Sequence, residues 1–295
     1  MAHSVSSSPS VIWEFQAQLG EGPVWDDQKK TLYWLDIKDR QLLILDMKNG
    51  NRVSVELSTE VGAVAPRSGG GLIAATKKGF ALLDPETGKL SFIVNPEVNL
   101  PGNRFNDGTC DSAGNFIAGT MDEREEEPTG TVYRLNANLS VAPLFGGYVV
   151  CNGPAFSPDG GTLYFSNSAQ REILEFAYDP ETGRIGSPAM FAKIPHAAGY
   201  PDGLSVDAEG YIWCAHWDGW RVTRFAPDGG EDAVVDFPVP RVTSCTFGGR
   251  DLDTLFVTTA RTGLDDDALD EAPLSGSLFV FKPGVPGLPT QRFTG

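Results

Sequence analysis

A short phrase recurs six times along this chain of 295 residues. In each copy a Gly or Ser is followed by a short apolar run, a turn rich in Asp, Gly and Pro, and a second apolar run. The copies begin at Glu21, Val61, Asn106, Asn152, Asp202 and Thr243. Consecutive copies start roughly 40 to 50 residues apart, which is the repeat length of a propeller blade. The sequence therefore predicts an all-β fold, a six-bladed β-propeller with four antiparallel strands per blade.

The two ends of the chain are predicted to meet in one blade. Strand-like runs occur at Trp13-Glu14-Phe15 and from Ser277 to Phe281. A propeller ring is stable only when its last blade is complete, so we expect the N-terminal strand to join the C-terminal ones. Residues 1–10 are polar and Ser-rich, and we expect them to form a flexible tail. Residues 11–295 are then expected to form a single propeller domain.

The charge and the apolar pattern exclude several classes of partner. The formal net charge is −16, and an acidic surface repels phosphate backbones, so nucleic acid is not an expected partner. The sequence contains no apolar run of about 18 residues, so no membrane span is expected. The N-terminus also lacks the apolar middle region of a secretory signal.

The cysteines indicate a reducing compartment. All four lie in apolar, strand-like runs, and none belongs to a C-x-x-C pair: Cys110, Cys151, Cys214 and Cys245. We interpret them as buried, reduced thiols rather than as a disulfide or zinc site, and we expect a cytoplasmic protein. A closed propeller needs no partner surface, so a monomer is expected.

The first residues of the six copies carry the functional prediction. In a propeller the first strand of each blade lines the central channel, so residues at one repeat position form a ring. Glu21, Asn106, Asn152 and Asp202 would bring hard oxygen ligands to that ring. Each alone could simply cap a strand end. Two carboxylates aimed at one axis are costly without a cation or a shared proton, which favours a divalent metal site.

Six motifs between residues 13 and 281 resemble a known family. They are Leu19-Gly20-Glu21-Gly22-Pro23, Arg104-Phe105-Asn106-Asp107-Gly108, Ala118-Gly119-Thr120-Met121, the run from Cys151 to Gly160, Tyr200-Pro201-Asp202-Gly203 and Thr258-Thr259-Ala260-Arg261. Together they resemble the SMP-30/gluconolactonase family, which includes regucalcin. Members of that family are six-bladed propellers that hydrolyse sugar lactones with one divalent metal ion.

The resemblance assigns a role to five residues. It implies that Glu21, Asn152 and Asp202 bind one divalent ion, which could be Ca²⁺, Zn²⁺, Mn²⁺, Mg²⁺ or Fe²⁺. It also implies that Arg104 and Asn106 bind the substrate, a small-molecule sugar lactone. The expected reaction is hydrolysis of an aldonolactone to an aldonic acid, with the metal polarising the carbonyl and Asp202 acting as general acid and base.

The charged loop after Met121 departs from the family pattern. An acidic substrate-contacting position of the animal members falls on Arg124, within the run from Asp122 to Glu127. We expect Glu123 and Arg124 to influence which sugar fits if this loop folds over the channel mouth. The alternative is an ordinary solvated loop.

Other chemistries find less support in the sequence. No G-x-S-x-G motif is present, so the sequence does not show the nucleophilic serine turn that is typical of serine hydrolases with the α/β-hydrolase fold. His3 lies in the tail, and we interpret His196 and His216 as structural. The alternative from another functional class is a non-enzymatic, calcium-binding regulatory propeller, which would bind metal without turning over a substrate.

Overall fold

Residues 7–295 are described by the computed structural model and form six antiparallel sheets, one for each blade. The chain enters through β1 (Ser10–Trp13). Blade 1 then contains β2 (Gly20–Asp26), β3 (Thr31–Asp36), β4 (Gln41–Asp46) and β5 (Arg52–Glu56). Blade 2 contains β6 (Val61–Pro66), β7 (Leu72–Thr76), β8 (Gly79–Leu83) and β9 (Leu90–Val94). Blade 3 contains β10 (Asn103–Cys110), β11 (Phe116–Asp122), β12 (Gly130–Leu135) and β13 (Val141–Tyr148).

The second half of the chain continues the same pattern. Blade 4 contains β14 (Cys151–Phe156), β15 (Thr162–Asn167), β16 (Glu172–Asp179), β17 (Arg184–Ile185) and β18 (Ala189–Lys193). Blade 5 contains β19 (Tyr200–Val206), β20 (Ile212–Trp217), β21 (Arg221–Phe225) and β22 (Glu231–Asp236). Blade 6 combines β23 (Val242–Gly248), β24 (Thr254–Thr259) and β25 (Leu278–Phe281) with β1. Single 3₁₀ turns cover Ser168–Gln170 and His196–Ala198, and one α-helix, α1, covers Asp266–Glu271.

The predicted six-bladed propeller is confirmed, and so is the way its ring closes. Strand β1 pairs antiparallel with β25, with Ser10 opposite Val280, although β1 ends at Trp13 instead of running to Phe15. Ser10, the last residue of the predicted tail, is thus the first residue of β1, and residues 1–6 lie outside the described part of the chain. No helix of residues 7–295 is long and apolar enough to cross a membrane.

Blade 4 departs from the four-strand pattern because two strands, β17 and β18, pair with the edge of β16 that faces away from β15. The tight turn after Asp179 folds back at once, so that Tyr178 lies opposite Ile185 in the short strand β17. The chain then returns as β18 and pairs with the first half of β16, where Glu172 lies opposite Lys193. Strand β16 is eight residues long, which leaves room for both partners along one edge.

The core consists of apolar layers within and between neighbouring blades. Between blades 5 and 6, for example, Trp213 packs in one cluster with Phe247, Phe279 and Phe281. The four cysteines are buried and unpaired by disulfides, as predicted. Burial of this apolar surface is the main contribution to stability, at about 25 cal/mol per Å².

The C-terminal segment after β25 crosses the end of the ring where the innermost strands finish. The backbone N–H of Gly287 donates to the carbonyl oxygen of Leu252 in blade 6, over 2.8 Å. Arg292 donates to Asp26 and Asp27 of blade 1. Phe293 is fully buried in a cluster with residues of blades 2 and 3. The segment therefore ties together blades that are distant in sequence.

Replacing Phe293 by Ala should destabilise the chain by about 3–5 kcal/mol, since a fully buried ring is lost and a cavity remains. Urea unfolding followed by tryptophan fluorescence would measure the change in the free energy of unfolding. Phe92→Ala is the matched control, because Phe92 is half exposed on β9 and should cost less than about 1 kcal/mol. Equal losses for the two variants would contradict this account of the C-terminal segment.

Candidate active site

The six repeat positions lie on the innermost strands, and each of those strands is irregular at that point. Strands β2, β6, β10, β14, β19 and β23 all shift register against their neighbours at the repeat position. A β-bulge bends the strand locally and redirects a side chain. The same irregularity in every blade therefore aims the repeat residues at one end of the channel.

The glycine after most repeat positions permits close approach between innermost strands. A Cβ atom on Gly62 would lie 2.4 Å from the carbonyl oxygen of Phe105 in the next blade. A Cβ on Gly153 would lie 2.7 Å from the carbonyl oxygen of Asp202, and Gly153 also has a positive φ of 51°. These contacts explain why the repeat contains glycine and how the repeat residues come within reach of one another.

Three of the five predicted site residues form one hydrogen-bonded chain. Arg104 Nη1 donates to Asn106 Oδ1 over 2.7 Å, and Asn106 Nδ2 donates to Asn152 Oδ1 over 2.6 Å. Asn152 Nδ2 in turn donates to Ser168 Oγ over 3.0 Å. Ser168 Oγ donates to the carbonyl oxygen of Pro201, the residue before Asp202. The chain fixes the orientation of both amides.

The two predicted carboxyl groups are both buried, and the charge of their ionised forms is poorly compensated. Burial, followed by the charge of Asp107, raises the pKa of Glu21 to about 8, while the hydrogen bond from Gly22 N opposes the shift. Burial, followed by the charges of Glu21 and Asp107, raises the pKa of Asp202 well above its usual range. Asp202 Oδ1 is buried without a hydrogen-bond partner among the described residues.

Asp107 is a third carboxylate at the site, and it was not among the predicted site residues. Its Oδ2 accepts from Gly153 N over 2.8 Å, and its Oδ1 accepts from Gly108 N over 2.7 Å. Burial raises its pKa to about 6. A signal was available, because Asp107 occupies the second repeat position, where the other five copies have Gly or Ser. It also lines a central cavity of about 240 Å³ that extends along the channel.

Arg104 is the buried cation beside these carboxylates. The residue is 5% exposed, and its Nε has no hydrogen-bond partner within residues 7–295. Burial lowers its pKa, while the charges of Glu60, Glu123 and Glu21 oppose that shift. A buried guanidinium with an unused donor can bind an oxygen atom of a ligand.

The charged loop lies close to the site, but Glu123 and Arg124 differ in position. Glu123 bonds to Lys38 Nζ over 3.1 Å and also to Lys77. Partial burial raises the pKa of Glu123, but the bonds to Lys77 and Lys38 outweigh it and bring the pKa to about 2. The side chain of Arg124 is 72% exposed and pairs with Glu126, so the structure does not bring it to the other site residues.

The histidines form no hydrogen bond with the predicted site residues among residues 7–295, although His216 lies opposite Pro201, the residue before Asp202. His216 is buried, and its Nδ1 lies 2.8 Å from the carbonyl oxygen of Ala198. Burial lowers the pKa of His216 to about 4, so the ring is neutral at physiological pH. His196 is exposed in its 3₁₀ turn. Both positions fit structural roles, and His3 falls outside the described residues.

The donor set fits a hard divalent cation. Glu21, Asn152 and Asp202 offer two carboxylates and one amide oxygen, which are typical ligands of Ca²⁺ or Mg²⁺. Within residues 7–295 no three His, Cys, Asp or Glu side chains are grouped to hold a metal, so the amide is needed to complete the set. A cation here would offset both the burial and the like-charge repulsion that raise the pKa values of Glu21 and Asp202.

Comparison with known proteins agrees with the fold and shows the family. The family model described as the SMP-30/gluconolactonase/LRE-like region matches residues 19–261. The L-arabinolactonase of Azospirillum brasilense is 37% identical over 283 residues, which cover 94% of this chain and 92% of that protein. The 6-deoxy-6-sulfogluconolactonase of Pseudomonas putida is 34% identical over 278 residues, covering 94% and 95% of the two chains.

A solved structure is similar over nearly the whole chain. The calcium-binding protein regucalcin from Agrobacterium tumefaciens has a TM-score of 0.93 and 33% sequence identity, and the match covers 98% of each chain. The family model and these full-length relatives lead to the same assignment. The chain belongs to the SMP-30/gluconolactonase family.

Proposed function

We propose that the chain hydrolyses a sugar (aldono-)lactone to the aldonic acid, acting as a metal-dependent carboxylic-ester hydrolase. One observation carries the proposal: the buried carboxylates Glu21 and Asp202 both interact electrostatically with Arg104, which is hydrogen-bonded to Asn106 and through it to Asn152. Such a site combines a place for a cation with donors for a polyhydroxylated ligand. The relatives named L-arabinolactonase and 6-deoxy-6-sulfogluconolactonase support a lactone as substrate.

Glu21, Asn152 and Asp202 are the residues that would hold one divalent ion. Bound there, the ion supplies Lewis-acid polarisation of the lactone carbonyl. The candidate ions are Ca²⁺, Zn²⁺, Mn²⁺, Mg²⁺ and Fe²⁺, since carboxylate and amide oxygens can bind all of them.

Asp202 is the proposed general acid and base. Its free Oδ1 can accept a proton from the attacking water as the new carbon–oxygen bond forms. The same carboxyl then gives the proton to the ring oxygen as the ring carbon–oxygen bond breaks. The sum of the two transfers consumes one water and yields the open aldonic acid.

Arg104 and Asn106 are proposed to position the substrate. Arg104 has an unused buried donor, and Asn106 is held by bonds on both its amide oxygen and its amide nitrogen. Donors fixed in this way can hold the sugar hydroxyls and orient the carbonyl at low entropic cost. We further propose a cytoplasmic location, since the buried free thiols suit a reducing compartment. We also propose a monomer, since a closed propeller needs no partner surface.

The proposal can be tested with a pH-stat assay on glucono-, xylono-, galactono- and arabinonolactones, with and without a chelator. We expect acid release from at least one lactone, abolished by the chelator and restored by a divalent ion. Metal binding without turnover of any lactone would instead support a calcium-binding regulatory propeller, a function suggested by the regucalcin match. The variant Glu181→Gln should show the same activity and the same response to the chelator as the unmodified protein, because Glu181 lies on an exposed turn of blade 4.

A further inference from the structure

Blade 3 carries a carboxylate at the second repeat position, where the other blades carry Gly or Ser. At two of the glycine positions the next blade comes too close for a side chain. A Cβ atom on Gly62 would overlap the carbonyl oxygen of Phe105, and one on Gly203 would overlap the side chain of Ser244. Asp107 instead spans the gap between the innermost strands of blades 3 and 4 with its side chain.

Strand β14 contains a bulge next to Asn152, one of the proposed cation ligands. Its pairing with β15 shifts register between Asn152 and Ala155, and Gly153 takes a left-handed conformation with a φ of 51°. In a bulge the backbone N–H of the extra residue loses its strand partner and needs another acceptor. Asp107 Oδ2 accepts from Gly153 N over 2.8 Å, while Asp107 Oδ1 accepts from Gly108 N over 2.7 Å.

The corresponding bulge in blade 1 is satisfied by its own repeat residue. Gly22 has a φ of 52°, and its N–H donates to Oε2 of the preceding residue, Glu21, over 3.1 Å. Asn152 does not serve its own bulge in this way, because its Oδ1 accepts from Asn106 and its Nδ2 donates to Ser168. In blade 4 the acceptor comes from blade 3 instead. Asn152 Oδ1 therefore keeps one lone pair for a cation.

Two consecutive side chains of β10 hold the backbone on both sides of Asn152. Asn106 Nδ2 donates to the carbonyl oxygen of Cys151 over 3.1 Å, and Asp107 Oδ2 accepts from Gly153 N. Holding both flanking peptide groups fixes where the amide of Asn152 lies. Metal sites depend on such outer contacts, and the loss of one typically weakens metal binding about 10- to 100-fold.

The charge of Asp107 also suits a divalent ion at this end of the channel. Glu21 and Asp202 each interact electrostatically with Asp107 and with Arg104. With a divalent ion bound, the ion and Arg104 together would balance the charges of these three carboxylates. Without Asp107 the same set would carry a net positive charge in a place with little access to water, which weakens binding of the ion.

We propose that Asp107 is a positioning residue of the cation site, which fixes Asn152 as a ligand and adds negative charge that favours the ion. The inference rests on the proposed metal-dependent lactonase function and deepens it. Asp107 is not assigned as a ligand, because both of its oxygens already accept from backbone N–H groups. It takes no part in bond making or breaking.

The test is calorimetric titration of the chelator-treated protein with the divalent ion that best restores lactone opening, starting with Ca²⁺. Asp107→Asn keeps the shape of the side chain, but it removes the charge and leaves one acceptor for two N–H groups. We expect the dissociation constant of the ion to rise about 10- to 100-fold. At saturating metal, kcat on the preferred lactone should fall less than about tenfold, because the residue acts only through a ligand of the ion.

Asp111→Asn is the matched control. Asp111 follows the same strand, is fully buried, and its Oδ1 also accepts from two backbone N–H groups, those of Ala113 and Asn115. This variant should lower the stability to urea but leave the dissociation constant of the ion within about twofold. Asp107→Ser, which places the residue type of blade 6 at this position, is the second variant if Asp107→Asn does not fold.

An unchanged dissociation constant in the folded Asp107 variants, or an equal rise in Asp111→Asn, would overturn the inference and leave lactone hydrolysis standing. A loss of kcat of about a thousandfold at saturating metal would also overturn it, since Asp107 would then act in the chemistry itself. If the unmodified protein bound no divalent ion, the proposed metal-dependent function would fail, and the inference would fall with it.

Discussion

Replacing Asp202 by Asn should lower kcat/KM for lactone opening by about a thousandfold, because the proposed proton carrier is lost. The burial of Asp202 and the neighbouring charges that raise its pKa both indicate that its ionised form is costly in the metal-free protein. The amide removes that cost. Metal-free D202N should therefore be at least as stable as the metal-free unmodified protein, although metal-loaded D202N has lost most of its activity.

The opposite directions of these two effects separate a chemical role from a structural one. Activity would be measured by pH-stat in metal-saturated samples, and stability by urea unfolding in the presence of a chelator. Asp228→Asn is the matched control, because Asp228 lies on an exposed turn of blade 5. Activity of metal-loaded D202N within tenfold of the unmodified protein would contradict the assignment.

The stability that Glu21 contributes to the metal-free protein should fall by several kcal/mol between about pH 5 and pH 9. The pKa of Glu21 is raised from 4.5 to about 8, so folding favours its protonated form. That stabilisation is fully present below the unfolded pKa and is lost as the pH rises through the folded one. Each pKa unit by which the folded and unfolded values differ changes the free energy of unfolding by about 1.4 kcal/mol between the two pKa values.

A bound divalent ion should remove this pH dependence, because it stabilises the ionised carboxylates. The stabilisation by metal should thus grow with pH. Urea unfolding at about pH 5, 7 and 9, with a chelator or with saturating metal, measures both curves. Glu21→Gln should flatten the chelator curve and weaken the response to metal. Parallel curves with and without metal would contradict a cation site at Glu21.

The fold could be predicted because the repeat records it directly. Equivalent phrases at regular spacing require equivalent blades, and the strand-like runs at both ends indicated how blade 6 closes. The extra strand in blade 4 could not be predicted in the same way. The extra strand forms because the chain after Asp179 returns to β16 twice, which is a tertiary contact. Both β17 and β18 are also short, so their alternation of apolar and polar residues is a weak signal.

The candidate site was predictable to the extent that it follows the repeat. The positions of Glu21, Asn106, Asn152 and Asp202 at one end of the channel come from the shared register, and the bulges supply their orientation. Asp107 was missed because the prediction rested on the first repeat position and not on the second. Its unusual residue type was the available signal.

The charged loop shows where prediction from the sequence stops. Its position depends on ion pairs of Glu123 with Lys38 and Lys77, which come from blades 1 and 2. Contacts between residues so far apart in sequence leave no local pattern. The sequence therefore could not decide that Arg124 is exposed to solvent and pairs with Glu126.

The central claim is that one divalent ion, held by Glu21, Asn152 and Asp202, is required for lactone hydrolysis. Titration of the chelator-treated protein with a divalent ion, followed by pH-stat on the preferred lactone, tests it most directly. We predict that activity rises linearly with added metal and reaches a plateau at about one equivalent of metal per chain. In the Glu21→Gln variant this plateau at one equivalent should be lost. Full activity of the chelator-treated protein before any metal is added, confirmed metal-free by elemental analysis, would contradict the claim.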